Sequence, residues 1–299
     1  MSTAPPPEAA GTVTSADGTV IGYRQVGTGP GIVLVHGGGQ SSQNLMTLAR
    51  ALSDQFTVYV PDRRGRGMSG PYREDHGLRA EVADLGALLD RTRAQNVFGL
   101  SVGAVIAMEA ARTLPRITSL AVYEPPLEWD GVTQTAWLPR YERELAAGRL
   151  AAALVAILKG TADRTPFRLV PRFLLTTALG LLLRKIEGRP VPAGMISPRD
   201  LIPTMHYDAR TVLDAAGPPA RFAGLSCDVL LLGGSRSARN HAAALDALAA
   251  ALPRARRIAL PRAGHTAAAN NGKPELVAAR LQAFFGGQAD PGERAVRCA

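Results

Sequence analysis

The sequence predicts an α/β fold in which a mostly parallel sheet is flanked by helices and interrupted by an inserted, all-helical cap. Three observations lead there. Short apolar, β-branched runs such as Gly31–Val35 alternate with segments of helical spacing, and a strand that is apolar throughout is one buried on both faces of a parallel sheet. The alternation stops after Pro126 and resumes near residue 223, a gap of roughly a hundred residues that is far longer than a connecting loop needs. With 299 residues, 46% of them hydrophobic and 20% charged, the chain has the composition of a folded domain with a well-packed core.

Residues 1–11, MSTAPPPEAAG, read as a disordered N-terminal tail, without the basic and apolar regions of a signal peptide. Residues 12–14 and 19–26 read as two strands around the Asp17-Gly18 turn. Gly31–Val35 is the first doubly buried strand and ends abruptly in His36-Gly37-Gly38-Gly39. There follow a helix at 45–52, a strand at 56–60, a helix at 78–89, a strand at 96–98 closing at Gly99, a helix at 101–114 and a strand at 117–123. The last of these is stopped by Glu124-Pro125-Pro126. A strand at 229–232, a helix at 242–252, a strand at 257–260 and a helix over Pro274–Phe285 complete the alternation. The expected core is therefore 12–126 with 223–287, the cap is 127–222, and 288–299 form a flexible C-terminal tail. Within the cap, helical spacing covers 136–145, 150–158, 167–186 and 199–213. Its most hydrophobic piece, 173–183, is too short to span a bilayer. The flanking Arg168, Arg172, Arg184 and Lys185 leave a membrane-surface helix open beside the expected role, a cap helix packed on the core or lining a pocket.

The formal charge of +9 comes from 34 Lys+Arg against 25 Asp+Glu, yet Lys159, Lys185 and Lys273 are the only lysines. Arginine and alanine in place of lysine and isoleucine are what a GC-rich genome writes into any protein, so the charge by itself assigns no partner. No run of five like charges occurs and aromatic residues make up 5%, which argues against nucleic-acid binding. Arg168, Arg172, Arg184, Lys185 and Arg189 do cluster in the cap, leaving an anionic substrate or lipid surface open. Cys227 and Cys298 are too few and too far apart for a disulfide framework or a cysteine zinc site, and a reducing, cytoplasmic setting is expected. No phosphate-binding or dinucleotide glycine motif is present in the sequence. The expected partner is a small-molecule substrate, with no cofactor, no metal and no stable membrane insertion; a homodimer is left open.

Chemistry enters at Gly99-Leu100-Ser101-Val102-Gly103. This G-x-S-x-G sits between a strand and an Ala-rich helix, where a nucleophile elbow needs to be. Such a turn pushes the serine hydroxyl above the carboxyl ends of the strands, and a Cβ at either glycine would strike the neighbouring strand or helix. It also sets the helix N-terminus and the Val102 N–H beneath a developing oxyanion.

Across almost its whole length the chain resembles an α/β-hydrolase-fold enzyme. The features that carry the resemblance, in order, are Val33-Leu34-Val35-His36-Gly37-Gly38-Gly39, Pro61-Asp62-Arg63-Arg64-Gly65-Arg66-Gly67-Met68-Ser69, the elbow, the 229–232 strand, and Ala263-Gly264-His265 after the last strand. The cap falls where that superfamily carries one. His265 is the one histidine of five placed at the carboxyl edge of the sheet beside Ser101, where an imidazole can take the serine proton and return it to a leaving group. His36 is read as a brace for the glycine loop, His76 and His241 as solvated surface residues, and His206 as a cap residue that could face substrate. The resemblance implies that the N–H of Gly38 joins that of Val102 as the oxyanion hole.

Superfamily members usually place an aspartate just after the strand that is 229–232 here, but Gly233-Gly234-Ser235-Arg236 follows instead. Glu124, which ends the strand after the elbow, is the candidate acid, a position that some family members use. Its other reading is a cap on the turn into the inserted segment. Asp62 is expected to organise its loop.

The resemblance implies a serine hydrolase. Ser101 would attack an ester, lactone, thioester or amide of a small, mostly apolar substrate, with His265 and Glu124 completing a Ser-His-Glu triad and water resolving the acyl-enzyme. Two alternatives stay open: lyase, C–C hydrolase or cofactor-free cyclase chemistry in the same site, and a non-catalytic small-molecule receptor. A serine at the elbow disfavours epoxide and halide chemistry, which need a carboxylate there. Gly37, Leu100, Trp129, Trp137, Met205 and Tyr207 are candidate substrate contacts, with Tyr141, Phe173 and Met195 as further pocket walls.

Overall fold

The computed structural model describes residues 8–161 and 169–287. One eight-stranded sheet organises them in the order β1-β2-β4-β3-β5-β6-β7-β8. Strands β1 (Ala9–Thr14) and β2 (Val20–Val26) form the N-terminal hairpin, and β2 runs antiparallel to β4 (Thr57–Pro61). The remaining neighbours, β3 (Gly31–Val35), β5 (Asn96–Leu100), β6 (Ser119–Tyr123), β7 (Asp228–Gly234) and β8 (Arg256–Leu260), are parallel.

The apolar runs of the central strands serve two cores. Val33, Val35, Val97, Leu120, Val122, Val229 and Leu231 face one layer, and Ile32, Leu34, Phe98, Ala121, Leu230 and Leu232 face the other. Successive side chains of a strand point to opposite faces, so a strand covered on both sides has no position for a polar residue. Helices α2 (Leu78–Thr92), α3 (Val102–Thr113) and α8 (Arg239–Ala251) close the first layer, and α1 (Met46–Leu52) with α9 (Pro274–Phe285) close the second.

Between β6 and β7 lie α4 (Leu138–Ala146), α5 (Leu150–Thr161), α6 (Arg172–Ile186), α7 (Met205–Asp214) and a 3-10 turn at Pro219–Phe222. They share a core of their own built on Trp137, Tyr141, Ala153, Ala156, Ile157 and Ile202. Val212, Ala215 and Phe222 leave it to pack in the first sheet layer, so the end of the insertion belongs to both cores.

Several expectations are corrected. The N-terminal tail is shorter than 1–11, because Ala9, Ala10 and Gly11 pair with Gln25, Arg24 and Tyr23, and Glu8 bonds Arg24 and Arg50. Proline content marked the tail, whereas strand pairing decides where it ends. The expected helix over 199–213 starts only at Met205, since 197–204 are turns in which the Ser197 hydroxyl donates to Asp200 and the Thr204 hydroxyl donates to the Leu201 carbonyl. Arg168 and the tail 288–299 lie outside the described residues. No helix of the described residues is long and apolar enough to cross a membrane.

Candidate active site

Ser101 stands at the turn from β5 into α3 with φ 54° and ψ −119°, a conformation that L-residues avoid and that persists only where surroundings enforce it. Here both flanking glycines enforce it. A Cβ on Gly99 would lie 2.4 Å from the Gly103 carbonyl oxygen, and one on Gly103 would lie 2.2 Å from the Val35 carbonyl oxygen. The Ser101 N–H donates to the Tyr123 carbonyl of β6 at 2.9 Å, anchoring the turn to the neighbouring strand.

Ser101 Oγ lies 3.0 Å from Nε2 of His265, and Nδ1 of the same ring lies 2.8 Å from Oε2 of Glu124. The second oxygen of Glu124 accepts the Gly234 N–H at 2.6 Å. Glu124 is 1% exposed and has φ 47°. Burial pushes its carboxyl up, but the hydrogen bond and charge of His265, with the Gly234 amide, outweigh this and hold it below the usual glutamate range. A carboxylate bonded to Nδ1 requires the proton on that nitrogen, which leaves Nε2 as the acceptor facing the serine.

The glycines that replace the usual aspartate explain how an acid on β6 reaches a histidine beyond β8. A Cβ on Gly233 would meet Leu245 at 2.5 Å and the Glu124 carboxylate at 3.3 Å, and one on Gly234 would lie 2.3 Å from the Ala263 carbonyl. The bare end of β7 is the channel through which the Glu124 side chain crosses. The turn carrying His265 is fixed in turn by the Tyr123 hydroxyl, which donates to the Gly264 carbonyl at 2.8 Å, and by the Arg236 N–H, which donates to that of Ala263 at 2.9 Å.

The glycine loop is held from three sides. The His36 ring accepts the Arg63 N–H at Nε2 (3.2 Å), so Nδ1 donates to the Gly37 carbonyl at 2.9 Å. Its burial, and the nearby charges of Arg66 and Arg63, keep it neutral. The Gly37 N–H donates to Gln40, and that of Gly39 donates to Asp208 Oδ2 at 2.8 Å. Gly38 lies between these two engaged amides and lines the same cavity as Ser101 and Val102.

Asp208, on α7, is the principal residue that sequence reasoning missed. It is 1% exposed and receives Arg63 at 2.8 Å and Arg66 at 2.9 Å, while Arg63 also grips Glu81 at 2.7 Å. Burial raises its carboxyl, but the two guanidiniums and the Gly39 amide bring it below the ordinary aspartate value. The Arg63 and Arg66 positions were legible in the loop motif; their partner was one carboxylate among many in the cap. Asp62 organises its loop as expected, accepting the N–H groups of Ser42 at 2.7 Å and Met68 at 3.0 Å.

Two surface readings are overturned. His241 is 6% exposed and stacks on His265 with ring centroids 4.2 Å apart and planes 4° apart. Its Nδ1 is buried with no hydrogen-bond partner, and burial, reinforced by the charge of His265, lowers its pKa to about 3. His76 is 7% exposed, with Nε2 3.3 Å from Glu81. The signal for His241 was present in the sequence, since Ala244, Leu245 and Leu248 follow it at helical spacing on the buried face of α8, whereas His76 stands in a loop without such a pattern.

Ser101 opens onto a cavity of about 440 Å³ roofed by the cap. Leu154, Ile157, Leu158, Leu183, Ile186 and Ile202 make its walls, and Trp137, Met205, His241 and Asp208 also line it. Gly37, Leu100, Trp129 and Tyr207 do not. Leu100 points into the second sheet layer, and Trp129 packs against the first. On α7 the cavity takes Met205, Asp208, Ala209 and Val212, one face at helical spacing. Tyr207 is turned about 200° from Met205 and stacks on Tyr72 at 3.6 Å. His206 is turned about 100° from Met205 and bonds Glu142 at 3.0 Å. Phe173 and Met195 are exposed, and the buried Tyr141 donates its hydroxyl to the Ile202 carbonyl at 2.8 Å. A larger open groove of about 1260 Å³ between β1, α2 and α3 holds none of these groups.

Glu124, His241 and His265 bring ligating atoms within 4.8 Å of one another. Their geometry does not suit a metal ion: parallel rings hold their lone pairs in separate planes, and Nδ1 of His265 is committed to Glu124.

A sequence profile of the alpha/beta hydrolase family matches residues 32–280. A pimeloyl-[acyl-carrier protein] methyl ester esterase of Stenotrophomonas maltophilia is 28% identical over 273 residues, covering 86% of this chain and 93% of that protein. Among solved structures, an alpha/beta hydrolase from Sphaerobacter thermophilus superposes with a TM-score of 0.72 at 30% identity, covering 92% of this chain and 100% of the other. A thermophilic esterase from Thermogutta terrifontis gives 0.66 at 23% identity, covering 93% and 98%.

Proposed function

The chain belongs to the alpha/beta hydrolase family, and from that premise we propose that it is a serine esterase acting on esters with an apolar acyl group. The supporting observation is the unbroken relay from Ser101 Oγ through His265 to Glu124, at 3.0 and 2.8 Å, opening into an apolar cavity. A relative named for a methyl ester supports esters as the first substrates to try.

In this reading the ester carbonyl sits over Ser101. As Oγ attacks, its proton passes to Nε2 of His265, and Glu124 stabilises the imidazolium through Nδ1. The oxyanion is received by the Val102 N–H at the start of α3 and by the Gly38 N–H, each such donor being worth roughly 3 kcal/mol to the transition state. Nε2 returns the proton to the leaving alcohol, and a water activated by the same imidazole releases the acid. The acyl chain lies between α5 and α6, in a cavity within the usual range of roughly 300–1,000 Å³ for small-ligand pockets.

The test is hydrolysis of p-nitrophenyl acyl esters, together with labelling by a fluorophosphonate. Ser101→Ala is expected to abolish both. Turnover by that variant at the wild-type rate, or a wild type inert to every ester and to the probe, would refute the proposal.

A further inference from the structure

Helix α6 is built backwards for a surface helix. Of its 15 residues only Leu175 and Leu183 are buried, while Phe173 is 68% exposed, Leu174 50%, Leu181 61% and Leu182 53%. At 100° per residue these four fall on one arc about 180° wide, together with Arg184 and Lys185. Seven of the nine large apolar side chains that stand exposed among the described residues fall within 169–195, which makes a patch and not a scatter. Arg172, Arg184, Lys185 and Arg189 are exposed and have no carboxylate partner among the described residues, whereas Glu187, the acid of this segment, is spent on Arg199.

We propose that the exposed face of α6 docks on an anionic lipid surface, with Phe173, Leu174 and Leu181 entering the acyl boundary and the cations meeting the headgroups. Apolar residues beside unpaired cations are the composition of an interfacial helix. Continuity with the cavity selects lipid over protein: Leu182 is exposed on this face and also lines the Ser101 cavity, so an acyl chain could pass from the surface to the site along apolar contacts. Charge argues against a second copy of the chain, because a two-fold contact through this face would set unpaired cations against cations. That lipid serves as the source of substrate rests on the esterase reading; the docking itself does not.

Co-sedimentation with vesicles separates the two. Wild type is expected to bind phosphatidylcholine vesicles containing phosphatidylglycerol, to bind pure phosphatidylcholine far more weakly, and to be released by salt. Arg184→Gln with Lys185→Gln should lower binding about fivefold for each cation removed, and Phe173→Ser with Leu174→Ser should abolish it. None of the four lines the cavity, so short-chain soluble ester turnover should persist in both variants. Absence of wild-type binding to anionic vesicles would overturn the proposal. So would equal binding to both vesicle types, or self-association of wild type that Phe173→Ser with Leu174→Ser disperses. If the vesicles bind but no ester is hydrolysed, docking stands and the esterase reading falls.

Discussion

Glu124→Gln is the substitution that most sharply tests the site. The carboxylate meets two donors with separate oxygens, the Gly234 N–H at 2.6 Å and His265 Nδ1 at 2.8 Å. A glutamine in the same rotamer can offer its oxygen to only one of them. The backbone donor cannot change, so the amide oxygen stays with Gly234 and the NH₂ turns toward Nδ1. The imidazole must then carry its proton on Nε2, the atom that has to accept from Ser101. At 1% exposure no water is at hand to repair the mismatch. The expected loss is about 10³–10⁴-fold in kcat, or about 4–5.5 kcal/mol of transition-state stabilisation, with KM little changed because Glu124 does not line the cavity. Glu124→Ala should do no worse, since it leaves Nδ1 free to keep its proton. The assay is steady-state hydrolysis of a p-nitrophenyl ester, with thermal melting as the folding control. A folded Glu124→Gln enzyme within tenfold of wild-type kcat would remove Glu124 from the reaction.

Four further outcomes follow from the same geometry. Ser101→Gly relieves the positive φ of the elbow and should raise stability by roughly 1–2 kcal/mol, seen as a melting temperature a few degrees higher, while activity is lost; an unchanged or lower melting temperature would mean that the turn is unstrained. His241→Ala should lower kcat about 2- to 10-fold and His241→Phe should restore most of it, as stacking of aromatic rings is worth about 0.5–1.5 kcal/mol. The pKa of buried His241, lowered from 6.5 to about 3, lets the unfolded chain bind a proton that the folded one refuses, so stability is lost as pH falls from 6.5. His241→Phe should therefore gain about 2 kcal/mol on wild type between pH 7.5 and pH 5 in urea melts, and parallel pH curves would contradict the neutral, buried ring. Asp208→Asn leaves Arg63 and Arg66 buried with an uncompensated charge and should cost about 3–5 kcal/mol at neutral pH. Because the Asp208 carboxyl is held below its ordinary value of 3.8, that difference should be full above this value and shrink as the pH falls through the folded pKa; a pH-independent difference would assign it to packing.

The sheet and its site-bearing edge were legible because their signals are local. A doubly buried strand must be apolar at every position, and the elbow needs glycine on both sides of the serine, so Gly31–Val35 and the Gly99 to Gly103 turn announce themselves. Glu124 was legible as the acid nearest the right edge, but the reason it reaches His265 lies in Gly233 and Gly234, whose meaning depends on what crosses above them. The cap was legible only as helices. Which face of a cap helix looks inward is a tertiary fact, so Met205 was found while Tyr207, two residues on, points to Tyr72. The burial of His241 was readable from Ala244, Leu245 and Leu248 on the same helical face, but its stacking partner was not, because that ring is delivered from the far side of β8.

The cap does more than roof the cavity. Helix α7 presents Met205, Ala209 and Val212 to the cavity and, from the same face, Asp208 to the Gly39 amide and the two arginines of the loop after β4. One helix thus shapes the apolar cavity beside Ser101 and fixes the glycine loop that, in the proposed reaction, would hold the oxyanion. The tie is a buried ion network, which holds geometry firmly because either partner alone would be left uncompensated in the interior. Rotating α7 by a single residue would withdraw Asp208 from the loop and Met205 from the pocket together. The parts of the cap free to diverge with substrate are therefore α5 and α6, whose aliphatic side chains touch the cavity but not the loop, and it is on α6 that the unpaired cations and exposed leucines stand.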